Sequence, residues 1–242
     1  WTREHLVDVL AVSPRWATCD SDMPLEQWLP LCTSTALWAG LEILVNRQKS
    51  QAMATAEVAR GYAAQYLAAG ADKIYLYNYF QDPYHPVENL KECYSTCGNY
   101  DSLQKLPRRH IVTWQDICPS GFTPYRPLPV VVQPGSETHI DVATGPIPPA
   151  AVVHVIVGGK SDLSGTIHVY MNQHICQNAV STSISSFNET VRQFEQNGYV
   201  DADNQLFAYY ANEPLNSYNQ SILIKNMGSQ SVELTYLEID VR

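Results

Sequence analysis

The chain has 242 residues, of which 45% are hydrophobic and 16% are charged, and its formal net charge at pH 7 is −9. These values indicate a folded globular protein and exclude an intrinsically disordered one. They also exclude a general nucleic-acid-binding surface, because phosphates require clustered Lys and Arg, and Arg108 with Arg109 is the one adjacent basic pair. No apolar run reaches the roughly 18–20 residues of a membrane-spanning helix, so neither nucleic acid nor a membrane is a predicted partner.

The front of the chain predicts buried parallel strands joined by a helix. Residues 5–13, 35–46 and 73–80 are apolar runs, which is typical of strands that are covered on both faces. A helix is predicted between the last two runs, because apolar residues recur there with the spacing of one helix face and Gly70 follows where a helix usually ends. The positions that carry this spacing are Ala59, Tyr62, Ala63, Tyr66 and Leu67.

Polar residues near the C-terminal ends of these strands form the candidate site. Glu42 and Asn78 lie near the ends of two runs, and parallel strands bring such positions to the same edge of a sheet. A Glu at a strand end is more often solvated or ion-paired, and Asn78 is equally well explained as the cap of a turn. Nearby aromatic residues favour a sugar site over those alternatives, because sugar rings stack on aromatic faces. The candidate substrate-binding residues are Arg15, Trp16, Trp38, Tyr77 and Asn78.

The cysteines and two glycosylation sequons favour an extracellular protein. The six cysteines permit up to three disulfides without establishing their pairing. Their spacing does not fit zinc, since a second close Cys or His pair is absent, so no metal and no cofactor is predicted. Asn188 and Asn219 each begin an N-x-S/T sequon, which is glycosylated only in a eukaryotic secretory pathway. Chance sequons and buried free cysteines remain the ordinary alternative. The cysteines are Cys19, Cys32, Cys93, Cys97, Cys118 and Cys176.

The rest of the chain is interpreted as a connector over residues 86–127 and an antiparallel β-sandwich over residues 128–242. Eight of the 15 prolines fall between Pro119 and Pro149, a density that helices and central strands do not tolerate. Beyond them, short segments of alternating apolar and polar residues are separated by Gly, Asn and Ser turns, which is typical of a sandwich. The predicted strands are 128–132, 139–142, 151–157, 166–171, 207–210, 221–225 and 232–241.

Several of these segments resemble glycoside-hydrolase-like (β/α)8 barrel proteins with an appended β-sandwich domain. Residues 8–16, 37–42 and 68–80 resemble the last three strands of such barrels, and residues 165–174 and 219–241 resemble strands of the appended domain. The resemblance implies a fold class of α/β plus all-β. Residues 1–85 would be the C-terminal part of a (β/α)8 barrel, namely its last three strand-helix units, and the earlier units would precede this chain.

The resemblance also implies a role for Glu42. Retaining barrels of this kind commonly carry the nucleophile at the end of the seventh strand, so Glu42 is the candidate catalytic nucleophile. Their acid/base residue lies at the end of the fourth strand, which has no counterpart in this chain. Because protonation of the leaving group is worth about 10²–10⁴ in rate, the chain alone is expected not to be a competent glycosidase.

Three functional hypotheses follow. The first is the C-terminal portion of a secreted glycoside-hydrolase-like protein that acts on or binds polysaccharide, with carbohydrate and the missing barrel portion as partners. The second is an extracellular structural or adhesive protein that self-assembles with copies of itself. The third is a carbohydrate-binding module without turnover. Hydrolysis assays with Glu42→Gln, and size measurements at several concentrations, discriminate between them.

Overall fold

The computed structural model of the chain describes residues 1–14, 23–47, 50–80, 87–112, 126–160, 163, 165–178, 205–211 and 217–242. The described strands form sheets of three, four and six members and one two-stranded hairpin. In chain order the elements are β1 (Val9–Val12), two 3-10 helices (Leu25–Gln27 and Leu29–Leu31), β2 (Ala36–Glu42), β3 (Leu44–Arg47), β4 (Ser50–Met53), α1 (Ala56–Ala68), β5 (Lys73–Tyr77), α2 (Val87–Thr96), α3 (Tyr100–Leu103), β6 (Arg108–Ile111), β7 (Val130–Val132), β8 (Glu137–Ala143), β9 (Val153–Gly159), β10 (Ile167–Met171), β11 (His174–Ile175), β12 (Gln177–Asn178), β13 (Gln205–Ala211), β14 (Asn219–Asn226) and β15 (Val232–Val241).

The three-stranded sheet is parallel and has β2 at its centre, in the order β1-β2-β5. Alternate residues of β2 point to one face of a sheet, and on this face Leu37, Ala39 and Leu41 are fully buried in the apolar core that surrounds α1. Helix α1 lies in the crossover from β2 to β5. The predicted strand, helix and parallel strand are therefore observed in this part of the chain.

Helix α1 is packed between two sheets. It begins after Thr55, whose hydroxyl accepts a hydrogen bond from the Val58 backbone N–H at 3.3 Å, and it is followed by Gly70 at φ +107°. Residues on nearly every side of the helix are buried, which explains its many alanines. Gly61 lies against the backbone of β6, where an added Cβ would overlap the Arg109 carbonyl oxygen. The helix is confirmed, although more of its surface is buried than one apolar face.

The six-stranded sheet is buried on both faces at its central strands β9 and β15. Its strands run in the order β12-β13-β9-β15-β6, and β7 pairs with the other end of β15. On the inner face, Val155 and Ile239 share an apolar core with Ile222 of the four-stranded sheet β11-β10-β14-β8. On the outer face, Ile156 and Tyr236 belong to the core around α1. The layers are therefore the parallel sheet, α1, the six-stranded sheet and the four-stranded sheet.

The predicted partial (β/α)8 barrel is wrong. A barrel repeats strand-helix units and carries its helices on the outside. Here the described residues are rich in strands and form several antiparallel sheets, and α1 carries one of these sheets on its far side. The β3–β4 hairpin also occupies part of the crossover from β2 to β5. The apolar runs indicated buried strands. Buried strands have the same sequence pattern in a closed barrel and in stacked layers, so these runs could not show whether the sheet closes into a barrel.

In residues 128–242, every strand predicted from the alternation of apolar and polar residues overlaps an observed strand between β7 and β15. Residues 86–127, interpreted as a connector, hold α2, α3 and β6, and β6 pairs along its length with β15. Residue 86 and residues 113–125 of that segment lie outside the described residues. Within the described ranges, no helix is long and apolar enough to cross a membrane.

Candidate functional site

Glu42 and Asn78 are brought into contact at one edge of the parallel sheet. Glu42 is the last residue of β2, and Asn78 directly follows β5. The Asn78 side-chain amide donates to both Glu42 carboxylate oxygens at 3.2 Å, and the Ile43 backbone N–H donates to Oε1 at 3.0 Å. Glu42 is fully buried. Its carboxylate is therefore held in a fixed orientation by three hydrogen bonds rather than by solvent.

The local sequence accounts for this contact. Glu42 lies opposite Tyr77 in the parallel register, so the residue after Tyr77 reaches the same edge. Asn78 has φ +60°, a left-handed conformation that Asn adopts more readily than most residues. The chain therefore turns at the end of β5 while the Asn78 amide is directed to Glu42. Gly40 allows the Ser13 side chain to pack closely against β2 beside the site, because a Cβ added at Gly40 would lie 2.6 Å from that side chain.

Aromatic side chains extend from this edge over a partly exposed face of the sheet. In the parallel register, Trp38 and Glu42 share a face with Tyr75 and Tyr77. The two tyrosines are 40% and 39% exposed, and their ring centroids lie 6.2 Å apart. Val9 of the neighbouring strand is 39% exposed as well. The site thus combines a buried carboxylate and a half-buried amide with a half-exposed strip of aromatic rings.

The other predicted site residues are placed as follows. Arg15, Trp16 and the sequon at Asn188 lie outside the described residues. Asn219 is exposed at the start of β14, so its side-chain amide is accessible to a modifying enzyme. Among the described residues, no group of three or more His, Cys, Asp and Glu is arranged to hold a metal ion. The structure therefore brings together Glu42, Tyr77 and Asn78 from the predicted set, and Trp38 lies on the same face of the sheet, four residues before Glu42 on β2.

The sequence reasoning missed a buried ionic cluster on the outer face of the six-stranded sheet. The Arg109 guanidinium donates to both Glu238 oxygens, with 2.6 Å from Nη2 to Oε2, and the Tyr236 hydroxyl donates to Oε2. Burial lowers the pKa of Arg109, but the Glu238 carboxylate outweighs it, so the pKa lies above its usual value. Arg109 therefore stays charged. The adjacent basic residues were visible in the sequence, but the carboxylate partner of Arg109 lies 129 residues away.

A second ionic group ties the last strand to α1. Arg242 donates to Asp240 from Nε at 3.0 Å and to Glu57 of α1 from Nη1 at 2.8 Å. Burial raises the pKa of Asp240, but His154, Arg242 and Arg109 outweigh it and bring the pKa below its usual value. Both ionic groups lie between packed elements, so their geometry indicates a role in holding the layers together.

Comparison with known proteins does not assign the chain to a family. No protein-family description matches the chain, and no curated protein matches it as a relative. The function must therefore be argued from the arrangement of the residues themselves.

Proposed function

We propose that this protein is a secreted carbohydrate-binding protein that binds polysaccharide without cleaving it. The observation that carries the proposal is the aromatic strip of Trp38, Tyr75 and Tyr77, which leads to the paired Glu42 and Asn78 at the sheet edge. Tyrosine rings present an apolar face and a polar hydroxyl, which suits a ligand with C–H faces and many hydroxyl groups. The exposed sequon residue Asn219 supports passage through a secretory pathway.

Binding is favoured over hydrolysis by the surroundings of Glu42. A nucleophilic carboxylate must reach the anomeric carbon, whereas Glu42 is fully buried and accepts hydrogen bonds from Asn78 and Ile43. A glycosidase also needs a second carboxylate about 5–10 Å from the first. Among the described residues the parallel sheet has three strands, and none of them supplies the fourth-strand residue that the resemblance requires. The role that suits Glu42 is to orient Asn78, the residue after Tyr77, at the edge of the binding strip.

The tyrosines are the residues on which to test the proposal. The wild-type chain, Tyr77→Ala and the double variant Tyr75→Ala/Tyr77→Ala are incubated with a panel of insoluble polysaccharides, and the bound fraction is measured. Tyr210→Ala is the matched control, because Tyr210 is 36% exposed on β13 in a different sheet. We expect the wild type and the control to bind alike. The double variant should bind about tenfold more weakly, which corresponds to about 1.4 kcal/mol.

Two results would contradict the proposal. One is that the wild type binds none of the polysaccharides. The other is that the double variant binds as strongly as Tyr210→Ala. Release of reducing sugar by the wild type, abolished in Glu42→Gln, would restore the catalytic hypothesis in place of binding alone.

A second candidate, self-assembly with copies of itself, is favoured by the edges of the same sheet. Among the described strands, β1 and β5 form the two edges of the parallel sheet, and each carries exposed apolar or aromatic residues, namely Val9, Tyr75 and Tyr77. Exposed strand edges pair readily with another chain. Light scattering over a hundredfold range of concentration tests this function, since a constant monomer mass would exclude it.

A further inference from the structure

Two cysteines at the C-terminal end of α2 lie in contact one helical turn apart, Cys93 within the helix and Cys97 directly after it. Cys93 and Cys97 are free thiols, 0% and 2% exposed, and they are hydrogen-bonded to each other. The Cys97 backbone N–H donates to the Cys93 carbonyl at 3.1 Å, which closes the turn between them. Cys32 and Cys176 are the other described free thiols; Cys32 follows the second 3-10 helix, and Cys176 lies between β11 and β12. The pair at the end of α2 is therefore a preformed dithiol.

The buried guanidinium of Arg60 lies beside this dithiol. Arg60 is 4% exposed on α1 and donates from Nε to the Pro107 carbonyl at 2.7 Å and from Nη1 to Glu92 at 3.1 Å. The hydrogen bond from Cys93 lowers the pKa of Cys97, and Thr96 and the Arg60 charge lower it further against the effects of burial and of the Glu92 carboxylate. The same hydrogen bond raises the pKa of Cys93. Cys97 is thus the thiol that ionises first, and thiolates are the nucleophiles in disulfide exchange.

We propose that Cys93 and Cys97 are a modification site, at which they form a reversible disulfide by exchange with a small-molecule disulfide such as oxidised glutathione. The Cys97 thiolate attacks one glutathione sulfur, which forms a mixed disulfide and releases one glutathione thiolate. The Cys93 thiol then loses its proton to solvent and attacks the Cys97 sulfur, which forms the Cys93–Cys97 bond and releases the second glutathione. The two cysteines are oxidised, and one oxidised glutathione is reduced to two molecules of glutathione.

The bond requires a local change at the end of α2. Side chains four residues apart on a helix have Cβ atoms about 5–6 Å apart, whereas a disulfide needs about 3.5–4.5 Å. Cys97 follows Thr96, the last residue of α2, and the next residue, Gly98, faces open space. Disulfide formation requires this turn to tighten and, because both thiols are buried, to open transiently to an oxidant, as helix ends do.

The same turn is connected to the sheet edge that carries Asn78. Tyr94 lies between the two cysteines on α2, and its hydroxyl donates to the carbonyl of Tyr79, the residue after Asn78. Tightening the turn displaces Tyr94 relative to that carbonyl. The proposed disulfide itself does not depend on the carbohydrate-binding function, so its test is independent.

The test uses the full chain and tryptic mapping. The folded protein is equilibrated in glutathione buffers from fully reducing to strongly oxidising, quenched with acid, denatured, alkylated and digested. The tryptic peptide of residues 92–105 contains Cys93 and Cys97 and no other cysteine. We expect it to change from doubly alkylated to unalkylated and lighter by two hydrogens as the buffer becomes oxidising, and to revert on return to reducing buffer. Cys32→Ser and Cys176→Ser serve as matched controls that leave this change intact.

Variants of the pair identify the order of attack. Cys93→Ala should accumulate a mixed disulfide of glutathione on Cys97, because its resolving thiol is missing, whereas Cys97→Ala should accumulate at least fivefold less on Cys93. If either variant fails to fold, the wild-type measurement alone decides whether the Cys93–Cys97 disulfide forms. A peptide that stays doubly alkylated in the most oxidising buffer overturns the proposal. A stable mixed disulfide in the wild type, or a disulfide to any other cysteine, overturns it as well.

Discussion

At the residue scale, Asn78 combines an unusual backbone conformation with a hydrogen bond to a buried carboxylate. It has φ +60° and donates to both oxygens of Glu42. We expect Asn78→Ala to lower the free energy of unfolding by about 1–3 kcal/mol, because it removes a donor from a buried acceptor and strains the backbone. Asn78→Gly removes the same donor without strain, so it should cost less. Urea unfolding measures both, and equal costs would contradict the backbone contribution.

His110 predicts a dependence of stability on pH. It is 3% exposed, and burial followed by the charge of Arg108 lowers its pKa well below the usual 6.5. A base with a lowered pKa in the folded state contributes its full stability above pH 6.5. It loses that stability as the pH falls further, because the unfolded chain takes up a proton that the folded chain does not. The loss has a limit of about 1.4 kcal/mol per pH unit.

The variant His110→Phe removes this ionisation and should flatten the pH dependence between pH 6.5 and pH 5 by about 1 kcal/mol per pH unit. The exposed His168 provides the control His168→Gln, which should leave the wild-type slope unchanged. Guanidinium unfolding at each pH supplies the measurement. If His110→Phe keeps the wild-type dependence of unfolding free energy on pH, groups other than His110 dominate that dependence.

Contacts at this scale were predictable from sequence where they follow from strand ends, and not otherwise. Glu42 and Asn78 could be placed together because parallel strands bring their C-terminal ends to one edge, and the structure shows that contact. The pairing of Arg109 with Glu238 could not be predicted. It joins strands 129 residues apart, and the Arg-Arg-His-Ile sequence of β6 lacks the apolar pattern of a strand.

At the element scale, the close packing of α1 on β6 depends on one glycine. A Cβ on Gly61 would overlap the Arg109 carbonyl oxygen, which is backbone and cannot rotate away. We expect Gly61→Ala to destabilise the protein by about 2 kcal/mol or more, although alanine favours helices by about 1 kcal/mol. Gly98→Ala is the matched control, because no atom lies within 4 Å of its added Cβ. Thermal unfolding compares them, and a Gly61→Ala variant as stable as the wild type would refute the close contact.

The elements themselves were predicted better than their partners. The alternation of apolar and polar residues located the strands between residues 128 and 242. This pattern is informative because a shift of one residue would move the apolar side chains of a strand out of the core. The periodicity of α1 predicted a helix with one apolar face, but the helix is buried on nearly all sides between two sheets. The many alanines were the available signal of this two-sided packing, because small side chains let both sheets approach.

At the scale of the whole molecule, the layers depend on one another. Ile156 and Tyr236 of the six-stranded sheet are buried in the core around α1. We expect the fragment 126–242 to aggregate or to bind a dye specific for exposed apolar surface, because it lacks both α1 and β6. Size-exclusion chromatography beside the full chain provides the measurement. A monomeric fragment that unfolds cooperatively would show that the four-stranded sheet and the rest of the six-stranded sheet are stable without α1 and β6.

The order of the layers sets which way the protein faces when it is held on a support. The tyrosine strip lies on the outermost sheet at one end of the stack, and the four-stranded sheet with the exposed Asn219 forms the other end. A glycan on Asn219, or a fluorophore introduced beside the exposed His168 of the same sheet, would project away from the tyrosines. Anchoring the molecule through that sheet therefore leaves the aromatic face pointing outward, as an immobilised sensor requires.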